Sequence, residues 1–189
     1  MPEKLSPPEK QQLLSVARAA VEAAAHKQPL PQLDLDEYSQ ILKDDGASFV
    51  TLMIGGSLRG CIGTLEAYQP LVQDVQSRAL QAASQDPRFS PVRPEELDRI
   101  KIEISRLTQP IALEYDHPKD LLTLLKPGVD GVVVSEGHRR ATFLPQVWDD
   151  LKEPEQFLTQ LCRKMGCSPG YWEHKLLKVE TYQVEEFSE

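Results

Sequence analysis

Two adjacent glycines, Gly55 and Gly56, stand between the apolar run 49–54 and the segment 57–65, and no other feature constrains the fold of this chain as strongly. A Gly-Gly pair supplies the positive φ angles of a tight two-residue turn, so the flanking segments must return on each other as an antiparallel hairpin. Further along, Ile100, Ile102 and Ile104 alternate with Lys101, Glu103 and Ser105, the period-two pattern of a strand buried on one face only. Val132–Val134, the turn at Glu136-Gly137 and residues 141–144 read as a second hairpin. The closing stretch, 176–187, is extended, and its alternation slips near Thr181, which suggests a bulge.

Helices are interleaved with these strands. Ser6, Pro7 and Glu9 form an N-cap, a tolerated first-turn proline and a capping box. The helix they open should run to about Lys27, with Leu13, Val16, Ala17, Ala20, Val21 and Ala24 on one stripe, before Pro29 and Pro31 end it. A second helix follows Pro70, with Leu71, Val72, Val75, Ala79, Ala82 and Ala83 on one face, and stops at Asp86-Pro87. Shorter helices are expected over 121–125 and over 155–165, the latter with Phe157, Leu158, Leu161 and Cys162 inward and Gly166 as its stop. Residues 33–46 read as a linker or a surface turn of helix. Hairpins mixed with helices, without a strand-helix-strand rhythm, indicate an α+β fold with a mainly antiparallel sheet and flanking helices.

With 189 residues the chain is long enough for one domain, residues 1–189, with room for a smaller lobe. No apolar run approaches the ~20 residues of a membrane span, and the polar, proline-rich start does not resemble a signal peptide. The expected location is therefore the cytoplasm. A net charge of -8 repels phosphate backbones, and nucleic acid is not an expected partner. Three cysteines, an odd number, fit a reducing compartment better than a disulfide framework.

The segment 55–63 contains four glycines in nine positions, and each weakens a strand through backbone entropy and lost packing. A compensating purpose is expected there. If 58–63 is extended, Arg59, Cys61 and Gly63 face one way while Leu58, Gly60 and Ile62 face the other. Arginine and thiol then share a face, and a nearby positive charge favours thiolate. Cys61 is accordingly a candidate nucleophile, with Arg59 as its electrostatic partner and Gly60 and Gly63 leaving the backbone open to a ligand. The same residues also allow a structural reading, in which a small cysteine packs behind a turn and Arg59 holds a carboxylate.

Three further residues have both functional and structural readings. His138, beside Arg139 and Arg140, can serve as a base or anion contact, or be an exposed hairpin-tip histidine. Arg88 can offer a fork of donors to a substrate carboxylate or phosphate, or lock the loop after the second helix with Asp86. Glu103 is either a site carboxylate or a solvent-facing residue. No metal is expected, because Cys162 and Cys167 lack a second pair and the four histidines show no ligand spacing. No cofactor is expected either: phosphate-loop, dinucleotide and iron–sulfur motifs are absent.

The run Leu58-Arg59-Gly60-Cys61-Ile62-Gly63 resembles the signature of the AMMECR domain family. Agreeing in order are Asp86-Pro87-Arg88-Phe89, Pro94-Glu95-Glu96-Leu97, Ile102-Glu103-Ile104-Ser105, Pro127-Gly128-Val129-Asp130-Gly131 and Phe143-Leu144-Pro145-Gln146-Val147-Trp148. The resemblance extends from about Leu14 to Phe187. It implies an α+β unit of two unequal lobes, with the Arg-Gly-Cys segment near their junction, and it brings no established reaction. Family relatives resemble the first member of a three-part set with a Memo-like protein and a radical-SAM protein, which are the implied partners. Two functions follow as expectations. One is a cysteine-dependent enzyme acting on a small anionic or nucleotide-like molecule, and the other is a non-catalytic module binding a ligand or partner protein in that pathway.

Overall fold

Gly55 and Gly56 adopt φ of +58° and +80°, and the hairpin they close consists of β1 (Ala47–Ile54) and β2 (Ser57–Gly63). The computed structural model describes residues 3–189. They divide into a larger unit, Glu3–Leu107 with Glu185–Glu189, and a smaller one, Thr108–Val184.

In the larger unit the antiparallel sheet runs in the order β2-β1-β3-β8, with β3 at Ile100–Leu107 and β8 at Val184–Ser188. Helices α1 (Pro7–Ala25) and α3 (Leu71–Ser84) cover its inner face, and a single helical turn, α2 (Gln40–Lys43), precedes β1. The alternation in β3 behaves as expected: Ile100, Ile102 and Ile104 are buried against Val50 and Leu52 of β1, while Lys101 and Glu103 are exposed. Each such isoleucine contributes roughly 1.5–3 kcal/mol through burial. The α1 stripe of Leu13, Ala17, Ala20 and Val21 and the α3 stripe of Val72, Val75, Ala79 and Ala82 complete the core. The capping box forms, with Glu9 accepting the Ser6 main-chain N–H at 2.7 Å. Glu9 also receives the Ser39 hydroxyl at 2.6 Å, so one carboxylate ties α1 to the approach to α2. Residues 33–46 thus include a buried anchor, Leu42, in addition to surface turn.

The smaller unit has its own four-stranded antiparallel sheet, β4-β7-β5-β6. It is built from β4 (Ile111–Ala112), β5 (Gly131–Glu136), β6 (Arg139–Phe143) and β7 (Lys178–Tyr182), with α4 (Leu121–Leu124), α5 (Pro154–Lys164) and α6 (Tyr171–His174). Phe157, Leu158, Leu161 and Cys162 of α5 pack on Val132 and Val134, and Phe157 stacks on Trp148 at 3.7 Å between centroids.

Two local expectations are corrected. The slip near Thr181 is not a bulge: β7 ends at Tyr182, and the chain begins β8 at Val184 in the other sheet. A register shift lies instead in the first hairpin. Leu52 pairs with Gly60 and Met53 with Leu58, so Arg59 is the extra residue. Leu58 is thereby placed opposite Met53 and out of register with Gly60 and Ile62, and it is 39% exposed.

Helix α3 lies so close to β2 that a Cβ on Gly60 would sit 2.3 Å from the Ala82 carbonyl oxygen. Because that neighbour is backbone, the clash cannot be relieved by a rotamer change. Gly60→Ala is expected to lower the unfolding free energy measured in urea by about 2–3 kcal/mol. A loss below about 0.5 kcal/mol would contradict this helix–strand seating.

Candidate functional site

Strand β2 is one of the two edges of its sheet. Alternate residues of an antiparallel edge strand turn their main-chain groups away from the sheet. At Cys61 these groups are taken by two side chains from the loop after α3. The Asp86 carboxylate accepts the Cys61 N–H at 2.9 Å, and the Arg88 guanidinium donates to the Cys61 carbonyl at 3.2 Å. Pro87 follows Asp86 and helps end the helix, after which the carboxylate turns back to accept the Arg88 N–H at 3.1 Å, an Asx turn. Arg88 Nε and Nη2 reach the same carboxylate at 3.0 and 2.8 Å.

Asp86 is 4% exposed. Hydrogen bonds from the Arg88 guanidinium hold its carboxyl well below the usual carboxylate range, with help from the Cys61 and Arg88 main-chain N–H groups, although burial pushes the other way. The Arg88 side chain itself is 54% exposed.

Arg59, displaced by the bulge, forms a two-pronged pair with Glu96, through Nε at 2.7 Å and Nη2 at 3.0 Å. Glu96 also accepts the Arg93 main-chain N–H at 2.8 Å. Its carboxyl is lowered, chiefly by the Arg59 hydrogen bonds. Phe89 has both cations near its ring, with the Arg59 and Arg88 guanidinium carbons 5.9 and 5.5 Å from the ring centre. Arg59 Nη1 is buried without a hydrogen-bond partner.

The Cys61 side chain is partly exposed. Thr51, its register partner on β1, donates its hydroxyl to Sγ at 3.1 Å. The next strand continues the row, because Thr51 pairs with Glu103 of β3. Thiol, hydroxyl and carboxylate therefore occupy successive strands on the sheet face opposite α3, and Glu103 is exposed.

The structure thus gathers Cys61, Arg59, Gly60, Gly63 and Arg88 within one unit. The glycines are occupied by packing: Gly60 admits the Ala82 carbonyl, and Gly63 lies against the Phe49 ring, 2.2 Å from where its Cβ would be. His138 belongs to the smaller unit, exposed at the turn between β5 and β6. Nearby Glu136 is bonded by Tyr171 and Lys175. Nothing in the local sequence pattern marks Thr51, Phe89 or Glu96 as a site residue. A two-residue turn at Gly55-Gly56 pairs Thr51 with Gly60 by simple counting, and only the bulge moves Thr51 opposite Cys61. Among the described residues no cluster of three or more His, Cys, Asp or Glu could hold a metal, and no helix is long and apolar enough to cross a membrane.

Residues 14–187 match the family model described as AMMECR1. A protein of Methanothermobacter thermautotrophicus is 39% identical over 191 residues, covering 98% of this chain and 96% of that protein. One from Methanocaldococcus jannaschii is 36% identical over 162 residues, 82% of this chain and 79% of its own. The crystal structure of an uncharacterized protein from Pyrococcus horikoshii superposes with a TM-score of 0.77 at 32% identity, covering 99% of this chain and 94% of that one.

Because the folded Asp86 carboxyl is depressed, its contribution to stability is complete above the ordinary carboxylate pKa of about 3.9. It is lost as pH falls through the lower folded value. Asp86→Asn should therefore destabilise the protein by ~2 kcal/mol at pH 7. The difference from wild type should shrink as pH falls below about 4. Urea denaturation at several pH values checks this, and a difference independent of pH would contradict the assignment.

Proposed function

The chain belongs to the AMMECR1 family, and from that premise we propose that it is a non-catalytic binding module whose contact surface surrounds Cys61. The observation that carries this reading is the pairing of both flanking cations. Arg59 is bonded to Glu96 and Arg88 to Asp86, so each guanidinium charge is matched by a carboxylate. Neither is left as a free counter-charge for a thiolate or an anionic substrate. The main chain of Cys61 is held by hydrogen bonds, and its partly exposed side chain is presented from a rigid edge. The occupants implied by the family resemblance are a Memo-like protein and a radical-SAM protein of the same pathway.

A second reading keeps Cys61 as a nucleophile toward a small anionic or nucleotide-like substrate, with Arg88 as the anion contact. The hydroxyl donated by Thr51 to Sγ favours it, since it holds the partly exposed sulfur in one position on the sheet face.

Two measurements on the full chain distinguish these functions. As a binding module, the protein should react with iodoacetamide at Cys61 within a factor of about three of a free model thiol at pH 7. Its Kd for the Memo-like or radical-SAM partner should change less than about twofold in Cys61→Ser. Reaction more than about tenfold faster than the model thiol supports the nucleophile. Failure to bind either partner overturns the binding module.

A further inference from the structure

The smaller unit holds the other two cysteines, which the site around Cys61 does not involve. Cys162 lies in the last turn of α5 and is fully buried, whereas Cys167, just beyond the helix end, is partly exposed. The helix closes in a Schellman motif: Cys167 N–H donates to the Cys162 carbonyl at 2.9 Å and Gly166 N–H to the Arg163 carbonyl at 3.0 Å. Gly166 takes the required left-handed conformation at φ +83°. In this motif the residues at the two cysteine positions commonly make side-chain contact. Cys167 indeed packs against the apolar cluster that contains Cys162.

The main-chain hydrogen bond also limits their separation. The path from one Cα through the bonded carbonyl and amide to the other spans at most about 6.8 Å. A disulfide needs a Cα separation of roughly 4.4–6.8 Å. Burial raises the Cys162 thiol, and the neighbouring Cys167 adds to that, so the more exposed Cys167 is the thiol that an oxidant meets first.

We infer that Cys162 and Cys167 form an oxidant-closed disulfide latch at the C-terminus of α5. With hydrogen peroxide as oxidant, the Cys167 thiolate attacks one peroxide oxygen, the O–O bond breaks, and hydroxide leaves to take a proton as water. The resulting sulfenic acid is attacked at sulfur by Cys162. An S–S bond forms, the S–O bond breaks, and the departing hydroxide leaves as water with the proton released from Cys162. Both cysteine sulfurs are oxidised, and one peroxide is reduced to two waters.

Arg163 and Lys164 stand between the two cysteines, so trypsin separates them unless the disulfide joins the fragments. The test treats full-length Cys61→Ser protein with equimolar hydrogen peroxide, followed by alkylation in denaturant and tryptic mass spectrometry. The expected result is a mass loss of about 2 Da and a reductant-sensitive link between the fragments carrying Cys162 and Cys167. Cys167→Ser in the same background should abolish both. Cys167 trapped as sulfenic acid or a higher oxide, with Cys162 still alkylated, overturns the latch. Unreacted thiols or a link between chains would overturn it equally.

Discussion

The hydrogen-bonded grip of Asp86 and Arg88 on the main chain of Cys61 is the interaction on which the larger unit's site depends. An exposed sheet edge offers unpaired N–H and C=O groups, and such edges recruit foreign strands unless they are covered. Here a carboxylate and a guanidinium replace a neighbouring strand at one residue, as acceptor and donor. Nearby features make this possible. Helix α3 stops at Ser84, Pro87 turns the loop, and the missing side chain of Gly60 lets α3 approach β2 closely enough to deliver Asp86. The bulge at Arg59 re-aims its guanidinium toward Glu96, which secures the following segment.

The same arrangement settles the electrical character of the site. In a protein of net charge -8, two arginines beside a cysteine suggest an island of positive potential. Each is instead matched by a carboxylate whose ionised form it stabilises. Cys61 Sγ receives the neutral hydroxyl of Thr51, on a strand whose main chain is held by Asp86 and Arg88. The two ion pairs tie the loop after α3 and the segment at Glu96 to β2.

Much of this was legible from residue patterns. The Gly55-Gly56 hairpin, the Ile100–Ile104 alternation and the two amphipathic helices each follow from a single strong periodicity or turn signal, and the structure contains all of them. Both readings of Asp86 and Arg88 were available from their spacing. Local pattern could not reveal the bulge, because Arg59 differs in no intrinsic way from a regular strand residue. The position of Thr51 opposite Cys61, and hence the thiol's hydrogen bond, depends on that one-residue slip. The break at Gln183 is hidden for a related reason, since consecutive strands of two different sheets look in sequence like one strand with a fault. Gly60 and Gly63 were recognisable as costly, but whether their space admits a ligand or a neighbouring atom is a matter of tertiary packing.

Side chains, in place of a further strand, seal the β2 edge at Cys61. Hydrogen exchange of the Cys61 amide tests it most directly, comparing wild type with Asp86→Ala under conditions where both remain folded. In wild type this amide should be protected like those of interior strands, and protection should fall by at least about tenfold in the variant while the amides of β1 and β3 keep theirs. A Cys61 amide that exchanges as freely as an open edge in wild type, or one equally protected without Asp86, would contradict it.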